Sequence, residues 1–182
     1  VDGNGDQEIV ADFGAAGLWL YDQGAWAQLS AANPDFAACA ELNFSGGQEV
    51  VADFGPLGVW ILMATGWYQA SGANADFFVC GDTDATGTAE IAADFGAAGV
   101  WLWNSGAFGG HLSGSDANYL IIVDKNADSR GKIIGDFGPL GLWLRDTGYD
   151  WTMLSGLRQE FMIAANLDAD PGQEVVVDFG PV

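Results

Sequence analysis

Oxygen-bearing side chains recur at alternating positions of five short loops, and these residues are the strongest candidates for chemistry in the sequence. In the clearest loop they stand at positions 1, 3, 5 and 9, with glycine at position 6, as Asp82, Asp84, Thr86, Glu90 and Gly87. Alternate residues of a tight loop turn their oxygens inward, and the carboxylate at position 9 closes the cage. Ca²⁺ takes about six to eight hard oxygen ligands of this kind. The pattern therefore predicts Ca²⁺ binding, although Asp, Asn and Gly also form turns without a metal.

Four of the five loops supply candidate metal ligands. They are Asp2, Asn4, Asp6 and Glu8 in the first loop, Asp82, Asp84, Thr86 and Glu90 in the third, Asp124, Asn126 and Asp128 in the fourth, and Asn166, Asp168, Asp170 and Glu174 in the fifth. The second loop has Ser45 at position 5, and the fourth has Lys132 at position 9. We expect metal binding to be weaker or absent in the second loop.

A repeat of 41 or 42 residues positions these loops. The tripeptide Asp-Phe-Gly occurs five times at that spacing, beginning at Asp12, Asp53, Asp94, Asp136 and Asp178. In the first unit, the apolar pattern predicts strands over 7–13, 18–21, 25–29 and 36–40. Four short strands per unit, without a helical period, are typical of a β-propeller blade. We therefore predict an all-β, β-propeller-like array of four-stranded blades, with four complete units and one extra strand.

The repeat predicts a single repeat domain. Its units span about 1–41, 42–81, 82–123 and 124–165, with a partial unit at 166–182. Both ends divide a unit, whereas domain boundaries normally fall in linkers. We therefore expect these residues to be a segment of a longer repeat protein, in which Asp or Asn precedes Val1. Alternatively, a second copy of the chain completes the propeller.

The charge balance restricts the partners. The chain has 5 Lys and Arg residues against 25 Asp and Glu residues, giving a net charge of −20. A phosphate backbone or an anionic membrane surface would be repelled, so we expect no nucleic-acid partner. No stretch approaches the roughly 18 apolar residues that a membrane span needs, so we expect no membrane insertion.

Aromatic residues hold two fixed positions in the repeat. Tryptophan occupies the first position in every complete unit, as Trp19, Trp60, Trp101 and Trp143. The second position is filled by Trp26, Trp67, Phe108 and Trp151. Large rings are usually buried, so we expect them to fill the gaps between blades. The alternative is that some of them line sugar-binding clefts.

Other polar and reactive residues give weaker signals. We expect the aspartates of the Asp-Phe-Gly segments to accept hydrogen bonds from turn amides or a tryptophan N–H. The alternative is a ring of carboxylates that holds cations around a central channel. His111 is the only histidine, so no nucleophile–base set can be assembled and we expect no enzyme activity. Cys39 and Cys80 occupy equivalent positions, where we expect free, buried thiols.

The acidic loops, each followed by an apolar strand, resemble the FG-GAP or VCBS repeats of integrin-α-type β-propellers. The resemblance is carried by Asp82, Asp84, Thr86, Gly87 and Glu90, and by Asp168, Asp170 and Glu174. It implies that the loops hold Ca²⁺ and that the propeller serves extracellular adhesion or ligand binding. The units are shorter than those of integrins, and the Asp-Phe-Gly segment differs from the sequence motif of the family.

Three functions are consistent with these observations. The first is a non-enzymatic, Ca²⁺-binding propeller, secreted or at the cell surface, that acts as an adhesion scaffold for a protein or carbohydrate ligand. The second is a multivalent carbohydrate-binding lectin with one aromatic-lined site per blade. The third is a structural subunit of an extracellular fibre, in which self-association completes the extra strand.

Overall fold

The structure is a computed structural model that describes residues 1, 3–146 and 150–181, and within these residues the chain is built from short β-strands. The strands are β1 (Ile9–Asp12), β2 (Leu18–Asp22), β3 (Ala25–Ser30), β4 (Phe36–Ala40), β5 (Glu49–Asp53), β6 (Val59–Met63), β7 (Gly66–Ser71), β8 (Phe77–Gly81), β9 (Glu90–Asp94), β10 (Val100–Asn104), β11 (Ala107–Ser113), β12 (Tyr119–Val123), β13 (Lys132–Asp136), β14 (Leu142–Arg145), β15 (Trp151–Ser155), β16 (Phe161–Ala165) and β17 (Glu174–Asp178). Four 3₁₀ turns follow the Asp-Phe segments, at Gly14–Ala16, Gly55–Leu57, Gly96–Ala98 and Gly138–Leu140. Among the described residues, no helix is long and apolar enough to cross a membrane.

The strands form five antiparallel sheets that follow one another along the chain. The first contains β1–β3, the next three contain β4–β7, β8–β11 and β12–β15, and the last contains β16–β17. The leading strands β4, β8, β12 and β16 contact one another from sheet to sheet. Successive four-stranded meanders that meet through their first strands are blades of a propeller. The predicted all-β, β-propeller-like array is therefore confirmed.

The sheets begin one strand earlier than the units read from the sequence. The sequence grouped residues 36–40 with the three strands before them, but β4 pairs with β5, with Phe36 opposite Asp53. The reason is the connection: the acidic loop joins β4 to β5 directly, whereas the polar loop before β4 crosses to a new blade. The extra strand β17 pairs with β16 in the same way. The described chain thus contains three complete four-stranded sheets and two shorter ones.

The second strand of each complete sheet forms the core. Every residue of β5, β9 and β13 is buried. Between the second and third sheets, Val51 and Ile61 pack with Phe78 and Ile91. Each fully buried aliphatic or aromatic side chain contributes about 1.5–3 kcal/mol of hydrophobic free energy. This packing fixes both ends of these strands, where the acidic loops and the Asp-Phe-Gly segments lie.

The two ends of the sheets form two different surfaces. At one end lie the acidic loops of residues 41–49, 82–90, 124–132 and 166–174, which we name the acidic-loop face. At the other lie the Asp-Phe-Gly turns and the polar crossover loops of residues 30–35, 71–76, 113–118 and 155–160, which we name the DFG face. Candidate metal ligands and the aspartates of the repeat are therefore on opposite surfaces.

The two cysteines are free, but the expectation that both are buried is wrong. Cys39 is exposed and Cys80 is partly exposed. Cys39 lies on β4 and lines an open cleft with Val10 and Leu18 of the first sheet.

Candidate functional site

The third acidic loop folds its carboxylates inward. Asp82 accepts hydrogen bonds through Oδ1 from the Asp84 amide at 3.2 Å and through Oδ2 from the Gly87 amide at 2.7 Å. The buried Glu90 accepts two bonds through Oε2, from the Thr83 amide and hydroxyl, both at 2.7 Å. Asp82, Asp84 and Glu90 each offer an oxygen within 4.8 Å of the others. The structure therefore brings together three of the four ligands predicted in this loop.

Left-handed backbone conformations produce the tight curvature of these loops. Gly87 at position 6 has φ +89° and Ala85 at position 4 has φ +63°. Gly46 in the second loop and Ser129 in the fourth are left-handed at position 6 as well, with φ +84° and +61°. Glycine adopts this conformation without a Cβ penalty, which explains its frequency at position 6. The curvature places the residues at positions 1, 3 and 5 on the inside of the loop.

The carboxylates of the third loop repel one another. Burial raises the pKa of Glu90, and the charges of Asp84 and Asp82 add to this rise, whereas the hydrogen bonds from Thr83 oppose it. Three clustered carboxylates disfavour one another's ionisation unless a cation joins them. The arrangement is thus suited to hold a divalent cation with oxygen ligands.

The fifth loop repeats this arrangement at the surface. Asp168, Asp170 and Glu174 offer oxygens within 4.8 Å of one another. Glu174 accepts a bond from the Leu167 amide at 2.8 Å, as Glu90 does from Thr83. The predicted ligand Asn166 turns its amide nitrogen to the Asp170 carbonyl at 2.7 Å. The amide side chain therefore supports the loop, while the three carboxylates face one another.

A lysine occupies the centre of the fourth loop. Lys132 is only 1% exposed, and its Nζ donates to Asp128 Oδ1 at 3.1 Å and to the Arg130 carbonyl at 2.8 Å. This hydrogen bond lowers the pKa of Asp128. Asp124 accepts bonds from the backbone of Asp128 and Ser129 at 3.1 and 3.0 Å. An ammonium group thus supplies positive charge at the place where a metal was predicted for Asp124, Asn126 and Asp128.

The second loop is closed by its own hydrogen bonds. Glu49 accepts from the Leu42 amide at 2.8 Å and from the Ser45 hydroxyl at 3.0 Å. Glu41 accepts from the amides of Ser45 and Gly46, both at 3.1 Å. Both Glu49 oxygens thus accept hydrogen bonds, whereas in the third loop the bonds from Thr83 engage only Oε2 of Glu90. Weak or absent metal binding in this loop stays a prediction.

The first loop is described only in part. Asn4 accepts a bond from the Asp6 amide at 2.7 Å. Glu8 accepts one from the Val1 amino group at 3.3 Å. The predicted ligand Asp2 lies outside the described residues. The metal prediction for this loop is therefore not tested by its described part.

Successive acidic loops are joined to each other. The Ala89 amide donates to the Glu41 carbonyl at 2.7 Å, and the Gly131 amide donates to the Asp82 carbonyl at 2.6 Å. Arg130 extends from the fourth loop to the Asp84 carbonyl at 3.2 Å. A cation in one loop would therefore stabilise the contact between two blades as well as the loop itself.

The tryptophans have two structural roles. At the first position, each indole N–H donates to a carbonyl at the end of the 3₁₀ turn, as Trp60 does to Leu57 at 2.8 Å. At the second position, Trp67 donates to the Leu29 carbonyl of the preceding sheet at 3.0 Å and packs edge-on against Phe54 at 5.4 Å. Trp151 makes the same bond to Leu112 at 2.8 Å. Gap filling between blades is thus confirmed for Trp67 and Trp151, whereas Trp26 of the first sheet is exposed.

The aspartates of the repeat link neighbouring blades. Asp53 Oδ1 accepts from the Gly55 amide at 3.2 Å, which confirms the expected bond to a turn amide. Its Oδ2 accepts from the Ala75 amide at 3.0 Å and from the Asn74 side-chain nitrogen at 3.1 Å. Because Asn74 and Ala75 belong to the crossover loop, these bonds fix the path from the second sheet to the third.

The third sheet departs from this pattern. Asp94 is fully buried, and neither of its carboxylate oxygens has a hydrogen-bond partner. Burial raises the pKa of Asp94 to about 7, and the charges of Asp116 and Asp76 act in the same direction. The Ala117 amide opposes this rise but does not reach hydrogen-bond geometry. Alignment of the polar loops could have revealed this group, because Asp116 stands where Asn74 stands one repeat earlier.

A polar cleft opens on the DFG face between the fourth and fifth sheets. It has a volume of about 540 Å³ and is lined by Asn118, Arg158, Gln159, Glu160 and Phe179. The side-chain oxygen Oε1 of Gln159 is buried in this region without a hydrogen-bond partner. The cleft therefore combines charged donors and acceptors with an aromatic ring. Sequence reasoning missed these residues, although the polar loop carries Asp35, Asp76, Asn118 and Glu160 at one repeated position.

Comparisons with known proteins agree with the fold. No protein-family model matches the chain, and no curated protein sequence matches it. Among solved structures, the chain is similar to an Agrocybe aegerita lectin described as specifically recognising non-reducing terminal N-acetylglucosamine, with a TM-score of 0.66 and 17% identity. The similarity covers 96% of this chain and 58% of the lectin, so the chain spans little more than half of the lectin's length. The chain therefore shares the fold of this lectin, and its resemblance to FG-GAP repeats stays a prediction.

Proposed function

We propose that this chain is a non-enzymatic carbohydrate-binding protein whose sugar sites are the clefts between neighbouring sheets on the DFG face. The observation that carries the proposal is the cleft lined by Asn118, Arg158, Gln159, Glu160 and Phe179. The shared fold with a lectin that recognises terminal N-acetylglucosamine supports it.

The chemistry of the cleft suits a sugar. Arg158 offers hydrogen-bond donors and Glu160 offers acceptors, and a sugar hydroxyl needs both. The Asn118 side-chain amide, which also lines the cleft, offers both a donor and an acceptor. Phe179 adds an apolar wall for the C–H groups of a sugar ring, as in most small-molecule sites.

The repeat places equivalent residues in the other crossover loops, where we propose further sugar sites. The position of Glu160 is held by Asp35, Asp76 and Asn118 in the other crossover loops, each with a side chain that can hydrogen-bond a hydroxyl. The position of Arg158 varies more, so the sites should differ in affinity. Several weak sites on one surface give high avidity for a surface that displays many sugars.

The test is a titration with free sugars, using N-acetylglucosamine, N-acetylgalactosamine and glucose. We expect N-acetylglucosamine to bind best, and Arg158→Met to weaken or remove one site. Glu160→Gln retains the size of the side chain and should weaken the same site. Lys125→Met removes a positive charge on the acidic-loop face and is the matched control. The proposal fails if no sugar binds, or if Arg158→Met and Glu160→Gln bind as the parent chain does.

We also propose that Ca²⁺ supports this scaffold from the third and fifth acidic loops. In both loops the structure gathers three carboxylates within 4.8 Å. Extracellular modules bind Ca²⁺ with dissociation constants of roughly 10⁻⁴–10⁻³ M, and we propose that these loops are sites of that class. We therefore place the protein outside the cell or at its surface, where such concentrations of Ca²⁺ are maintained.

A further inference from the structure

One crossover loop carries a carboxylate where its counterparts carry a donor. With each amide oriented so that its nitrogen faces the carboxylate, the Asn33 side chain donates to Asp12 Oδ1 at 3.0 Å and the Asn74 side chain donates to Asp53 Oδ2 at 3.1 Å. Asp116 holds this position opposite Asp94. The amide that hydrogen-bonds the aspartate in the first two sheets is therefore replaced by a second carboxylate in the third.

No hydrogen bond from the protein compensates Asp94 for this change. It is fully buried at the end of β9, and both of its oxygens lack a hydrogen-bond partner. A buried carboxylate without a donor or a counter-charge is strongly unfavourable. The equivalent Asp53 accepts bonds from two backbone amides. An unpartnered buried carboxylate in an otherwise regular repeat points to a ligand that supplies positive charge.

Three carboxylates around Asp94 are close enough to share one cation. Asp76, Asp94 and Asp116 each offer an oxygen within 4.8 Å of the others. Oxygens bound to one Ca²⁺ ion lie at most about 4.8 Å apart, because each Ca–O distance is about 2.4 Å, so these three oxygens can reach one ion. Asp76 and Asp116 are exposed, so an ion can enter from the solvent while Asp94 holds it from beneath.

We propose that Asp76, Asp94 and Asp116 form a Ca²⁺ site on the DFG face, separate from the acidic loops. Asp76 precedes β8 and Asp116 follows β11, so the ion would join the crossover loops on both sides of the third sheet. It would thus perform the linking role that Asn74 and Ala75 perform for Asp53. The site does not depend on sugar binding.

The experiment counts Ca²⁺ ions by equilibrium dialysis near neutral pH. Asp116→Asn restores the residue found at the equivalent positions 33 and 74, and Asp76→Asn introduces the residue found at position 118. Each variant should bind one Ca²⁺ fewer than the parent chain. Asp35→Asn changes the equivalent residue of the second sheet, where Asn74 already serves Asp53, and should bind as many ions as the parent. Equal numbers of bound ions in the parent and in Asp116→Asn overturn the proposal.

A thermal melt separates a cation from a proton shared by Asp94 and Asp116. In EDTA, Asp116→Asn should melt at a higher temperature than the parent, because asparagine supplies the missing donor. Added Ca²⁺ should raise the melting temperature of the parent more than that of the variant. The Ca²⁺ site is refuted if Ca²⁺ raises the melting temperatures of the parent and of Asp116→Asn equally, and only acidification removes the difference between them. In that case a proton shared by Asp94 and Asp116 neutralises the two carboxylates.

Discussion

Asp116 stands opposite Asp94 in the third sheet, at the repeat position from which Asn74 donates to Asp53 in the second. The two sheets have the same strand order and matching registers around these aspartates. One side chain therefore changes the charge of a junction between blades without changing the fold. A similar exchange occurs on the acidic-loop face, where Lys132 stands at the position that Glu90 holds in the preceding loop.

Removal of Ca²⁺ should destabilise the chain. A ligand present at about 100 times its Kd adds about 2.7 kcal/mol to the free energy of unfolding. We expect EDTA at low ionic strength to lower the melting temperature, as followed by circular dichroism. Asp84→Asn should remove part of this response, because Asp84 belongs to the carboxylate group of the third loop. An unchanged melting temperature in EDTA would contradict Ca²⁺ binding by the acidic loops.

Much of this architecture can be predicted from the sequence, since strand periodicity and the repeat are local patterns. The Asp-Phe-Gly spacing predicts the blades, and glycine at position 6 predicts the left-handed turn seen at Gly87. The grouping of strands into sheets could not be predicted, because it depends on which loop crosses between blades. The proximity of Asp116 to Asp94 could not be predicted either, because residues 94 and 116 come together only when the third sheet has formed.

Trp67 should contribute far more to stability than its counterpart Trp26. Trp67 bonds to Leu29 of the preceding sheet and packs against Phe54. Trp26 belongs to the first sheet and is 45% exposed. Truncation of a packed tryptophan costs about 3–5 kcal/mol. In urea unfolding, Trp67→Ala should therefore lower the midpoint much more than Trp26→Ala, and equal effects would show that the contact between blades is not important for stability.

The Asp136 carboxyl should make stability depend on pH. Burial raises the pKa of Asp136 above its usual value of 3.8, although the bond from the Gly138 amide and the charge of Arg158 oppose the rise. The folded chain therefore takes up this proton at a higher pH than the unfolded chain does. The stabilisation from this proton is complete below about pH 3.8 and is lost as pH rises through the folded pKa.

Asp136→Asn removes this titration and keeps an oxygen that can accept the Gly138 bond. Its stability relative to the parent should therefore increase from acidic to neutral pH in urea titrations. Asp12→Asn is the matched control, because Asp12 accepts the same bond from Gly14 but is exposed. A constant difference between Asp136→Asn and the parent across this range would contradict the expected linkage.

Lys132→Glu should convert the fourth loop into a Ca²⁺ site. The substitution places a carboxylate at position 9, as in the loops closed by Glu90 and Glu174, beside Asp124 and Asp128. Because Lys132 is 1% exposed, a new negative charge there has little access to water. An uncompensated buried charge costs about 3–5 kcal/mol, so the variant should be strongly destabilised in EDTA. Added Ca²⁺ should restore its stability and increase the number of bound ions by one.

Lys132→Met removes the ammonium group without adding a ligand, so Ca²⁺ should stabilise it no more than the parent. If Ca²⁺ fails to stabilise Lys132→Glu beyond Lys132→Met, the acidic loop does not form the metal cage that its sequence predicts.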